Sequence, residues 1–97
     1  MAKEKRGTIT SSDDGTQVPD SNGFHVSGPF TFMITNGTTL SAALQINVSG
    51  NWVTLPDSSG QTSLSGAASF NVDLPKGGNF RINVTTATGT WDWLVIE

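Results

Sequence analysis

Apolar side chains recur at every second position along much of this 97-residue chain. In residues 30–35, phenylalanine and isoleucine alternate with threonine and methionine. A period of two is typical of a β-strand with one buried face, because successive side chains of a strand point to opposite sides. The same reasoning predicts short strands at residues 24–26, 44–48, 52–55, 70–74, 80–85 and 91–96.

Turn-forming residues separate these strands, and no segment has the period of a helix. Glycine and asparagine tolerate positive φ, so residues 36–37, 49–51, 75–78 and 87–89 predict tight turns, and residues 56–66 predict a polar loop. Many short strands separated by such turns indicate an all-β fold. We expect a small antiparallel β-sandwich, with a barrel as the alternative.

The polar N-terminal part differs from the rest of the chain. Residues 1–23 carry turn signals but little apolar periodicity, so we expect an arm or lead-in, with a possible short edge strand at residues 7–10 around Ile9. Residues 24–97 then form the β-sandwich. The length suits a single domain.

The last predicted strand is apolar on both faces. Trp91, Trp93 and Val95 share one face, whereas Leu94 and Ile96 share the other. A strand of this kind is either covered on both sides or placed at a subunit contact. The chain is small and has no cysteine to form disulfides, so association is a ready way to bury more apolar area. We therefore expect a homo-oligomer.

Charge separates the N-terminus from the body of the chain. From Gly7 onward there are two basic and seven acidic side chains, which argues against nucleic acid as a partner. The basic residues Lys3, Lys5 and Arg6 are either a solvated start or a docking arm for an acidic neighbour. No apolar stretch approaches the length of a membrane span, and no apolar segment follows the basic start as in a secretory signal. We expect synthesis in the cytoplasm.

The sequence shows no pattern of residues that is typical of a catalytic site. The single histidine, His25, alternates with Phe24 and Val26 and is expected on the outer face of a strand, without marked partners for a triad. The acidic residues are scattered through turns and lack the ligand ladder of a calcium loop. We expect no enzyme activity, no cofactor and no metal site.

The tryptophans and one arginine are the most informative polar or aromatic side chains. Trp91 and Trp93 lie about 7 Å apart along one strand face, a spacing that suits stacking on successive sugar rings. Tryptophans in small sandwiches more often fill the core or an interface. We take Trp52, Trp91, Trp93 and Leu94 as candidate interface or glycan contacts, and we expect Arg81 to pair with an aspartate such as Asp73 or Asp92.

One order of elements resembles a known group of proteins. The strand and hairpin LQINVSGNWVTL, a Ser/Gly loop, and ASFNVDLPKGGNFRINVTTATG with its Leu74-to-Arg81 turn resemble small virion proteins of tailed bacteriophages over residues 30–96. The resemblance implies a capsid decoration, head-fibre or neck and tail component, built as an Ig-like or jelly-roll sandwich and often with threefold assembly. It also implies docking on a capsid or tail lattice through the arm or an apolar edge, and no catalytic residues.

The two sources of inference converge on a structural role. We expect a non-enzymatic protein of a phage virion, most simply a capsid decoration or fibre-like protein that docks as an oligomer, with a trimer favoured. Its partners would be copies of itself and capsid or tail proteins. The alternative is a carbohydrate-binding or host-adhesion module that uses exposed tryptophans on surface glycans.

Overall fold

The computed structural model describes residues 4–54 and 63–97, which contain ten β-strands, one 3₁₀ turn at Ser11–Asp13 and no α-helix. In chain order the strands are β1 Glu4–Ile9, β2 Gln17–Val18, β3 Phe24–Val26, β4 Phe30–Thr35, β5 Thr39–Val48, β6 Asn51–Thr54, β7 Ser63–Leu64, β8 Ala68–Val72, β9 Gly78–Thr88 and β10 Trp91–Ile96.

Two antiparallel sheets pack face to face. The first sheet has the order β1-β10-β4-β8, and the second has the order β2-β9-β5-β6, with β3 also paired to β9 and β7 to β5. The sheets are not closed into a barrel. The prediction of an all-β sandwich is therefore confirmed, and the barrel alternative is excluded.

The core lies between the sheets and consists of the inward positions of the alternating strands. An aromatic cluster joins the two layers: Phe30 from the first sheet meets Phe80 from the second edge to face, with 4.9 Å between ring centroids. Phe24 from the second sheet stacks on Trp93 from the first, at 5.8 Å. Large rings in such geometry contribute both buried area and favourable electrostatics. The buried apolar residues are Ile9, Val18, Phe24, Val26, Phe30, Phe32, Ile34, Leu40, Ala42, Leu44, Leu64, Val72, Phe80, Ile82, Val84, Ala87, Trp91, Trp93 and Val95.

The hairpin between β5 and β6 shows how turn chemistry sets strand register. Ser49 and Gly50 both have positive φ, 53° and 88°, which is the backbone of a two-residue hairpin turn whose twist matches its strands. The Gly50 amide donates to Asn47 Oδ1 at 2.9 Å. This turn brings Trp52 opposite Asn47.

The described part of the N-terminal segment is built into both sheets. β1 pairs with β10 along its whole length, from Glu4 opposite Ile96 to Ile9 opposite Trp91, and β2 pairs with β9. The sequence predicts an arm or lead-in over residues 1–23, with a possible edge strand at residues 7–10. The edge strand starts earlier, at Glu4, because pairing along an edge uses main-chain groups that polar residues also carry.

Two other strands extend beyond their predicted ranges. β5 begins at Thr39 and β9 continues to Thr88, with a register shift between Ser41 and Ala42. The end of β9 is rich in threonine and pairs through the backbone, without the periodicity that predicts strands. The start of β5 does alternate, since the buried Leu40 and Ala42 follow the exposed Thr39 and Ser41, and the prediction missed it. The two-residue strands β2 and β7 were not predicted. β7 lies in the segment expected to be a loop, of which residues 56–62 are outside the described residues.

Candidate functional site

Trp91 and Trp93 are core residues. Only 3% of Trp91 and 4% of Trp93 is exposed. The indole Nε1 of Trp91 donates to the carbonyl of Thr39 at 2.8 Å, and Trp93 packs against Gly7 of β1 and the ring of Phe24. Neither indole offers a face to a sugar or to another subunit. Of the four candidate contacts, Trp52 and Leu94 are the ones that solvent reaches.

Leu94 lies on the outer side of the first sheet, which we call the Met33 face. Leu94 is half-buried and stands between Met33 of β4 and Arg6 of β1 in the strand register. Met33 is 38% exposed. A groove of about 390 Å³ runs over this face. The Met33 face consists of Arg6, Thr8, Thr31, Met33, Thr35, Asp92, Leu94 and Ile96.

The basic residues that were candidates for a docking arm lie partly in β1. Lys5 pairs with Val95 and Arg6 with Leu94 along the edge of the first sheet. The Arg6 guanidinium forms an ion pair with Glu4 at 2.7 Å, and both side chains are well exposed. Such a solvated pair contributes little to stability. Lys3 lies outside the described residues.

The outer side of the second sheet carries a different set of side chains, which we call the Arg81 face. The Arg81 guanidinium lies over the Trp52 ring, 4.4 Å from its centroid. Arg81 Nε donates to Gln45 Oε1 at 2.8 Å, and Nη1 donates to the Ser21 carbonyl at 3.2 Å. The expected pairing of Arg81 with Asp73 or Asp92 does not occur. β9 instead places Arg81 opposite Gln45.

Amide side chains continue the Arg81 face on both sides of this cluster. Gln17 Nε2 donates to Asn83 Oδ1 at 3.0 Å, and His25 Nδ1 lies 2.9 Å from Asn79 Oδ1. His25 is exposed, as its alternation with buried neighbours predicted. The Arg81 face consists of Gln17, His25, Gln45, Asn47, Trp52, Asn79, Arg81 and Asn83. The period of two places Gln45, Asn47, Asn79 and Asn83 on the polar sides of their strands, but the sequence does not bring them together.

The acid–base and metal-ligating groups are dispersed. Within residues 4–54 and 63–97, no three histidine, aspartate or glutamate side chains are placed to hold a metal ion. His25 has an amide as its neighbour on the Arg81 face. In the same part of the chain, no helix is long and apolar enough to cross a membrane.

The fold defines a class: a two-sheet, all-β sandwich of about the size of one immunoglobulin domain. Among solved structures, this chain is similar to the SPBc2 prophage-derived protein YomS, with a TM-score of 0.53 and 14% sequence identity. The likeness covers 98% of this chain and 96% of that chain, so the fold is shared over the full length. No family model matches the sequence. The search of curated proteins also found no match.

Proposed function

We propose that this chain is a non-enzymatic structural protein of a bacteriophage particle, which assembles with copies of itself and decorates the capsid or forms part of a fibre. It would be made in the host cytoplasm and reside in the virion, with a trimer as the favoured state. A shared fold with a prophage-derived protein, matched from end to end, supports the phage association. The sequence resemblance to small virion proteins points the same way.

The observation that carries the assembly role is the apolar centre of the Met33 face. Antiparallel sheets that face water on one side usually carry polar residues there. Here Met33 and Leu94 are paired at the middle of a four-stranded sheet, with Ile96 two positions further along β10. Covering this strip with a second copy would remove it from water, which stabilises an oligomer by about 25 cal/mol for each Å² of apolar surface buried.

The interface that we propose differs from one that uses all of β10. The sequence predicts that Trp91, Trp93 or Leu94 is partly buried between subunits. Since both tryptophans are already enclosed within the chain, Leu94 is the member of that group that supports an interface, and Met33 joins it.

Sedimentation of a matched pair of variants tests the assembly role. Met33→Glu places a charge on the Met33 face, where Met33 is 38% exposed. Val53→Glu places the same charge on β6 of the second sheet, at a residue that is 41% exposed. We expect the wild-type chain and Val53→Glu to sediment as oligomers and Met33→Glu to dissociate. A monomeric wild-type chain at high concentration, or equal dissociation of both variants, would contradict the proposal.

Quantitative mass spectrometry of purified phage particles tests the virion role separately. Many copies of the chain per particle support capsid decoration, and a few copies support a fibre, neck or tail position. If particles from a lysate that expresses the chain do not contain it, the proposed location is wrong, whatever its oligomeric state.

A further inference from the structure

Arg81 is held in one orientation by neutral partners. Its guanidinium carries five N–H donors. One bonds to the Gln45 side chain and one to the Ser21 carbonyl, and the plane of the group lies over Trp52. Because arginine forms a rigid fork that recognises planar anions with two hydrogen bonds, a fixed guanidinium with spare donors is prepared for a carboxylate.

The charge around Arg81 is unusual for this chain. No carboxylate of the described residues forms an ion pair with it. None of the six strands of the second sheet contains an aspartate or glutamate in its described part, although the chain as a whole has eight acidic residues and a net charge of −3. An anionic ligand could therefore bind the exposed side of the guanidinium without displacing an ion pair of the described residues.

The other residues of the Arg81 face suit the C–H face and the hydroxyl groups of a sugar. Trp52 is half-buried, and an aromatic ring at a sheet surface can pack against the C–H face of a pyranose. Asn47, Asn79 and Asn83 project from the neighbouring positions of the same face, and their amides both donate to and accept from hydroxyl groups. Nucleic acid fits poorly, because a single arginine cannot neutralise a run of phosphates.

From this arrangement we infer that the Arg81 face binds an acidic saccharide, with the carboxylate of a uronic or sialic acid on Arg81 and a sugar ring beside Trp52. This inference is independent of the proposed assembly role, which concerns the Met33 face on the opposite side of the sandwich. A monomeric chain that binds the sugar would contradict only the assembly role, and an oligomer that does not bind it would contradict only the saccharide site.

A glycan array is the first test. It would display hyaluronan, polygalacturonate and sialyllactose fragments beside neutral lactose, maltotetraose and chitotetraose. We expect binding to one or more acidic members and none of comparable strength to the neutral ones. Absence of binding to every acidic member, or equal binding to neutral glycans, would overturn the inference.

Titration of the ¹⁵N-labelled wild-type chain with the bound acidic glycan then locates the site without any substitution. The shifts should centre on the Trp52 indole N–H and the side-chain amides of the Arg81 face. Shifts centred on the Met33 face would overturn the assignment.

Two charge-matched variants complete the design. Lys76 and Arg81 are the two basic residues that follow Arg6, so Arg81→Gln and Lys76→Gln change the net charge equally. We expect at least tenfold weaker binding for Arg81→Gln and a change of less than twofold for Lys76→Gln. Arg81→Lys, which keeps the charge but not the fork, should also bind more weakly. Equal losses of affinity in Arg81→Gln and Lys76→Gln would mean that binding depends on the overall charge of the chain, and would refute the site at Arg81.

Discussion

Gly37→Ala tests the contact between the β4–β5 connection and Trp91. A Cβ built at Gly37 would overlap the indole ring of Trp91, including its Nε1. Gly37 is not among the residues with positive φ, so the alanine would meet no backbone strain. The cost of this substitution is therefore steric: the ring has to move, or the connection has to move away from it.

The expected loss follows from two contributions. Inserting a methyl group into a well-packed site costs about 1–3 kcal/mol. If the indole moves, its hydrogen bond to the Thr39 carbonyl is lost, and a hydrogen bond of this kind contributes about 0.5–1.5 kcal/mol. We expect a loss of about 3 kcal/mol, which is a large part of the 5–15 kcal/mol that stabilises a typical domain. At about 4–8 °C per kcal/mol for a chain of this size, Tm should fall by about 12–24 °C.

Thermal unfolding followed by circular dichroism measures this loss, and a second glycine provides the control. Gly66 has no atom within 4 Å of its built Cβ and no positive φ, so Gly66→Ala should change stability by no more than about 0.5 kcal/mol. Adding Trp91→Phe, a smaller ring, to Gly37→Ala should recover part of the loss. If Gly37→Ala unfolds at the same temperature as Gly66→Ala, the packing of Trp91 described above is wrong.

Three further substitutions test other contacts. Asp14→Ala removes the carboxylate that accepts from the Ala87 amide at 2.8 Å, and we expect a loss of about 1.5–3 kcal/mol in urea unfolding; an unchanged midpoint would contradict this role. Trp52→Phe should remove most of the fluorescence that acrylamide quenches in the native chain, since the other two tryptophans are buried; undiminished quenching would place a core indole in solvent. Glu97→Ala removes the acceptor for the Ser27 amide at 2.7 Å and should lower stability by about 1 kcal/mol, whereas Glu97→Gln, which keeps an acceptor oxygen, should lose less.

Alternation in the sequence predicted the strands that contain the core. β3, β4 and β10 coincide with the apolar runs at residues 24–26, 30–35 and 91–96. The prediction succeeded there because a strand with an apolar side chain at every second position has one apolar face, and only that face is buried favourably in the core. It failed for the polar parts of β1 and β9, where main-chain pairing with a neighbouring strand decides the extent. It also missed the start of β5, although Leu40 and Ala42 alternate there with polar residues.

The Arg81 face illustrates the limit of the same reasoning. The apolar neighbours Phe80 and Ile82 predict that Arg81 points outward, but they do not predict which residues Arg81 contacts. Gln45 is 36 residues away in the chain, and it meets Arg81 because β5 and β9 pair in one particular register. The β5–β6 hairpin then brings Trp52 onto the same face.

The sequence by itself determined which side chains enter the core, since the free energy of burial depends on residue type and on the two-residue period of a strand. The tertiary structure alone decided which strands became neighbours, and with them the exposed pairs Met33–Leu94 and Arg81–Gln45. Strand pairing joins distant segments through backbone groups that every residue except proline carries alike, so side-chain identity leaves these neighbours unspecified.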